Sequence, residues 1–187
     1  WKDNAKGHPQ KNASFRGKNK PHDRRIRAQR IHRKNKKRQG EYHRTENKMK
    51  FKKIKDIYFV RIDRGEFIIE QLKQFLEKEK ITLGFLSGLG SVDQVELAHY
   101  IVENKKYTSK KFNEPLEIVN MTGNITIMDK KPYLHCHCTV SDQSMKAYAG
   151  HLVEGRVGAT CEVVIRTSKG TISRKRNEKI GLNLFDF

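Results

Sequence analysis

From Lys55 onward the apolar residues fall into short alternating runs separated by polar turns, and one stretch repeats with helical spacing. Ile57-Tyr58-Phe59-Val60-Arg61-Ile62-Asp63 is rich in β-branched and aromatic side chains and predicts a strand. Asp63 and Glu66 then stand three apart, as in a capping box. Phe67, Ile68, Leu72, Phe75 and Leu76 share one face of the segment that follows, which predicts an amphipathic helix of about four turns lying on a sheet. Residues 81–90 interleave Gly84, Gly88 and Gly90 with Leu83, Phe85, Leu86 and Leu89. No Gly-Lys-Ser/Thr ending follows, so this reads as a glycine-marked strand or bulge rather than a phosphate loop. Residues 92–102 and 107–112 flank Glu103-Asn104-Lys105-Lys106 as a hairpin. Residues 116–128 (interrupted at Gly123-Asn124), 133–141, 147–153, 160–167 and 171–176 complete the strand candidates, and 182–185 is a short apolar end segment. Many short strands with one good helix imply an α+β fold dominated by antiparallel sheet.

Charge divides the chain in two. The formal net charge is +19 over 187 residues, yet residues 1–55 hold 21 Lys/Arg against 4 Asp/Glu and residues 56–187 hold 19 against 17. Residues 1–48 carry few apolar side chains and no sustained period, which predicts a basic, disordered arm before a folded domain at 49–187. Arg24, Arg25, Arg27, Arg30, Arg33, Lys34, Lys36, Lys37 and Arg38 form its densest stretch and are the candidate nucleic-acid contacts, because cationic arms bind DNA by neutralising phosphates without reading sequence. A solvated tail, or an extension preceding a native start at Met49, is the alternative. No signal-like leader is visible, the three cysteines are unevenly spaced and no apolar run is long enough to cross a membrane. A cytoplasmic, reducing setting is the expectation, associated with the nucleoid if the chain binds DNA.

Chemistry concentrates in Leu134-His135-Cys136-His137-Cys138 and Gly150-His151. In a strand His135 and His137 share one face, and Leu134, Cys136, Cys138 and Val140 share the other. Two imidazoles at i and i+2, with His151 beside a glycine that allows close approach, form a candidate three-histidine metal site. Plain surface histidines, and a turn-capping His151, are the alternatives. Cys136, Cys138 and Cys161 could form a rival thiolate site, but their alternation with apolar residues marks them as small core residues. Glu154 and Arg156 follow His151 closely and are candidates for orienting water and holding an anionic ligand behind the metal, or else a solvent-exposed turn pair. No Ser-His-Asp set, Walker loop or CxxC pair suggests another chemistry, and nothing assigns a reaction.

Gly84-Phe85-Leu86-Ser87-Gly88-Leu89-Gly90, Pro115-Leu116-Glu117-Ile118-Val119, Thr122-Gly123-Asn124, His135-Cys136-His137, Gly150-His151-Leu152 and Gly181-Leu182-Asn183-Leu184, in this order, resemble the plants-and-prokaryotes-conserved (PPC) domain. The resemblance implies an α+β, mostly antiparallel homotrimer, and DNA binding by analogy with plant members that carry AT-hooks. Phe15-Arg16-Gly17-Lys18 is not an AT-hook, and residues 114–119 keep only the second half of the plant partner-binding segment. Some prokaryotic members resemble zinc binders, and the acetolactate decarboxylase family holds zinc with three histidines. By that resemblance zinc would sit on His135, His137 and His151 with its fourth position open. The leading expectation is a DNA-binding homotrimer, with a regulatory role as one option. The rivals are a zinc-dependent enzyme or small-ligand binder and a structural trimer with a stabilising metal.

Overall fold

The computed structural model describes residues 49–187, so the basic arm and its boundary with the folded domain lie outside the described residues. The elements in chain order are β1 (Met49–Ile54), β2 (Ile57–Asp63), α1 (Ile68–Lys78), β3 (Gly84–Ile101), β4 (Lys106–Phe112), β5 (Leu116–Met128), β6 (Lys131–Ser141), β7 (Ala147–Thr167), β8 (Ser173–Asn177) and β9 (Leu182–Asp186). The sheet is antiparallel apart from one parallel pairing, Ile127 with Ser173, between β5 and β8. The described residues are therefore mostly antiparallel sheet with one helix, as the alternation predicts.

Two strands are longer than the sequence suggests. Residues 81–90 and 92–102 join into β3, and 147–153 and 160–167 join into β7, because the glycines between them are absorbed as bulges. β3 pairs with β7 along most of its length, shifting register between Gly90 and Val92. β5 lies against the first half of β3, β6 bridges β5 to the start of β7, and β2 covers the end of β7. The pairings β3–β5–β6–β7–β3 close on themselves. β1, absent from the expected elements, pairs with β2 at one edge. Its lysines hide the alternation of Met49 and Phe51, and Phe51 packs edge-on against Phe75 at 5.0 Å.

The inner face holds the core. Tyr58, Val60 and Ile62 of β2, Leu86 of β3, Met121 and Ile125 of β5 and Val163 and Ile165 of β7 are buried there against Ile68, Leu72, Phe75 and Leu76 of α1. Cys136, Cys138 and Cys161 are free and buried in the same layer, as their alternation predicts. Burial pushes each thiol up to about 12, so none supplies a thiolate near neutral pH.

The helix departs from expectation at its start and in its length. It spans 11 residues, about three turns, and Phe67 at its N-cap makes no side-chain capping bond. Glu66 instead accepts from the side-chain amide of Gln71 at 3.0 Å. The carboxylate that caps the helix comes from β7: Glu154 accepts from the backbone N–H of Ile69 at 2.8 Å and of Glu70 at 3.2 Å. The far end closes as a Schellman turn with Lys80 at φ 54°, Ile81 N–H donating to Leu76 O at 2.9 Å.

Candidate metal centre

The turn between β5 and β6 sets the register that builds the site. Asp129 and Lys130 both have positive φ, 51° and 64°, giving the two-residue hairpin turn whose twist matches the strands. Met128 then pairs with Lys131, which places His135 opposite Asn124 and His137 opposite Thr122. On the other side of β6, His137 pairs with His151 of β7. Side chains of directly paired residues share a face. One row therefore crosses the outer face through Phe59, Val164, Ser87, Thr122, His137 and His151, and the next through Arg166, Phe85, Asn124 and His135.

The three sequence-predicted histidines meet at the end of these rows. One ring nitrogen from each lies within 4.8 Å of the others, and the Nε2 atoms of His135 and His137 are 3.3 Å apart. Zinc–nitrogen bonds of about 2.0–2.1 Å at a tetrahedral angle need nitrogens roughly 3.3–3.4 Å apart, so that pair is already spaced for one ion. His151 Nδ1 is buried without a hydrogen-bond partner. Burial, then the neighbouring His151, His137 and Arg174, lowers His135 to about 4, and burial followed by His137 lowers His151. These two imidazoles are neutral near pH 7, with lone pairs free for a metal. An orphaned buried nitrogen on His151 and two nitrogens at ligand spacing on His135 and His137 fit a three-histidine ion. Such an ion would act as a Lewis acid with a position left open.

Glu154 and Arg156 are not brought to this centre, which corrects the expectation that they support it. Besides capping α1, Glu154 accepts from Gly155 N–H at 2.9 Å, and Arg156 is paired with Asp93, Nε to Oδ1 at 2.7 Å. They lie three and five residues beyond His151 on β7, and each side chain already has its partners. Glu154→Ala should cost about 1–2 kcal/mol in denaturant unfolding and leave the metal content unchanged. A loss of metal without a loss of stability would return Glu154 to the metal centre.

What does surround the histidines was not signalled by spacing. Tyr107 of β4 lies over His151 with ring centroids 5.5 Å apart. Arg174 of β8 is stacked on Tyr133, its guanidinium 4.9 Å from the ring centre, and donates to Asn124, the register partner of His135. The alternation of Ser173-Arg174-Lys175-Arg176 could have shown that Arg174 and Arg176 share a face, but not which arginine the sheet would receive.

Comparison with known proteins follows the same lines. The family model for the Plants and Prokaryotes Conserved (PCC) domain matches residues 49–169. A crystal structure of a Bacteroides thetaiotaomicron protein provisionally designated DNA-binding is 35% identical, with TM-score 0.74, covering 75% of this chain and 99% of its own. A metal-containing protein from Archaeoglobus fulgidus is 31% identical, with TM-score 0.66, covering 74% and 98%. A plant- and prokaryote-conserved protein from Pyrococcus horikoshii shares the fold at 24% identity and TM-score 0.66, covering 74% and 94%. No curated protein matches. The sheet order, the motifs that carry the histidines and these matches agree, and the chain belongs to the Plants and Prokaryotes Conserved domain family.

Proposed function

We propose that this chain is a metal-binding protein whose His135, His137 and His151 hold one zinc ion with an open position for a small ligand, and that it works as a homotrimer. The observation that carries the reading is the convergence of three imidazole nitrogens within 4.8 Å, two of them at 3.3 Å. The similarity to a metal-containing archaeal protein supports it. Self-association is supported by the outer face, where Phe59, Phe85, Leu89 and Val164 stay 46%, 53%, 59% and 39% exposed on β2, β3 and β7. Apolar side chains gathered on one sheet face suit burial against further copies of the chain. Elemental analysis of the purified full chain should find about one zinc per chain. A folded chain that carries no metal and refuses added zinc overturns the reading.

A second reading, non-specific DNA binding, rests on the charge asymmetry, 21 Lys/Arg against 4 Asp/Glu in residues 1–55, and on the provisional DNA-binding designation of a relative. Arg24, Arg25, Arg27, Arg30, Arg33, Lys34, Lys36, Lys37 and Arg38 are the proposed phosphate contacts, and three arms on one trimer would add avidity. Retention of the full chain on duplex DNA should fall steeply with salt and vanish when residues 1–48 are deleted. Retention that survives the deletion rules the arm out. Among the described residues no helix is long and apolar enough to cross a membrane.

A further inference from the structure

The charged side chain that bears on the histidine centre is a cation. Arg174 is held against the row that contains His135 through its bond to Asn124, the register partner of His135. It is also unusually well fixed. Its guanidinium lies between Tyr133, at 4.9 Å, and Phe185, at 4.6 Å. Nε donates to Thr126 Oγ1 at 2.9 Å, Nη1 to Asn183 O at 2.6 Å and Nη2 to Asn124 Oδ1 at 2.6 Å. A guanidinium has five N–H groups, so these three bonds leave two unengaged. The Asn183 carboxamide beside it meets the Tyr133 hydroxyl at 3.4 Å with one end, and its other end is buried without a partner.

None of this helps a bare metal ion. A fixed positive charge next to three imidazoles repels a divalent cation, and a site made only to hold one would gain from a carboxylate in that place. The same charge becomes favourable once an anion joins the ion, because a planar guanidinium with free N–H groups matches the two oxygens of a carboxylate. Clamped between two rings by three hydrogen bonds, it has little freedom left to lose on binding.

We propose that the histidine centre takes a small carboxylate, held between the bound ion and the guanidinium of Arg174, so that the β8–β9 hairpin sets the ligand class. The proposal rests on the three-histidine reading and adds the ligand to it. Arg174 and Asn183 both lie beyond residue 169, where the family-model match ends.

The test uses the full chain loaded with cobalt(II) in place of zinc and titrated with acetate, followed by the visible absorption of the cobalt. The wild-type spectrum should change saturably. R174Q should take up cobalt at least as tightly and bind acetate roughly 10-fold or more weakly, the loss expected for a charge-assisted hydrogen bond. N177A controls for a loosened hairpin, since Asn177 Oδ1 accepts from Ile180 N–H at 3.0 Å in the β8–β9 turn and makes no contact with the guanidinium; it should keep the wild-type acetate affinity. Unchanged acetate affinity in R174Q overturns the proposal, as does a cobalt chain blind to acetate or an equal loss in N177A. Failure of the wild-type chain to take up cobalt at all overturns the histidine reading and the carboxylate with it, and so separates the two failures.

Discussion

Replacing His137 with alanine should strip the chain of its metal while leaving the fold in place. His137 stands exposed on the outer face and contributes nothing to the inner layer. Its removal deletes one of the two nitrogens already at ligand spacing. Losing a group that merely supports a metal ligand costs roughly 10–100-fold in affinity, and losing the ligand itself should exceed that. Stability of the metal-free form should stay within about 0.5 kcal/mol of wild type, as for other surface substitutions. His135→Ala should behave alike in metal content. Cys136→Ala is the contrast, because it acts on the other face of the same strand. It should keep the metal and lose about 1 kcal/mol of stability through the small void it leaves in the core. Zinc retained by His137→Ala but lost by Cys136→Ala would make the thiols the ligands and the histidines bystanders.

The largest effect on folding is expected at Gly90. This residue sits at φ +151° next to the bulge where β3 changes register between β5 and β7. A methyl group there would run into the carbonyl oxygen of Thr160 and stand 2.7 Å from Cys161 Cα, and both are backbone atoms of the neighbouring strand. Neither can swing aside as a side chain does, so Gly90→Ala must force β3 and β7 apart at their longest seam. A cost of about 3 kcal/mol or more is expected from denaturant unfolding, or no folded protein. Gly65→Ala isolates the conformational part, since Gly65 has φ +86° but nothing within 4 Å of its added methyl. That change should cost only about 1 kcal/mol. Equal costs at the two sites would mean that backbone preference, not the close approach of strands, explains Gly90.

Much of the fold was legible because strand alternation is local. Ile57–Asp63 is read with its observed bounds. The opposed faces of the histidine strand follow from side-chain period alone, which is why His135 and His137 could be placed together in advance, whereas His151 was read from the glycine before it. The bulged glycines near Gly88 and Gly90 were legible for a similar reason, since glycine inside an apolar strand pattern marks close backbone approach. Glu154 marks where such reading ends. Its partners at the helix start lie 84 and 85 residues away, and nothing in the spacing of Asp63 and Glu66 discloses that a distant strand has taken the capping role. Arg174 is a similar case. Its three hydrogen-bond partners come from β5 and β9, so its place beside the histidines exists only after those strands have assembled.

The length and position of β7 carry a consequence for how the chain is made. Ile57 pairs with Arg166 and Gly84 with Thr167, so strands completed early have partners synthesised 109 and 83 residues later. On the ribosome, β2, α1 and the first half of β3 emerge with their inner faces uncovered and wait for more than 60 further residues before the seam can close. Pairing across such separations is slow, and it leaves apolar strand edges open to other nascent chains. Synthesis therefore passes through a long interval in which β2, α1 and β3 exist but cannot yet be folded, and emergence of β7 is the event that completes both core and histidine centre.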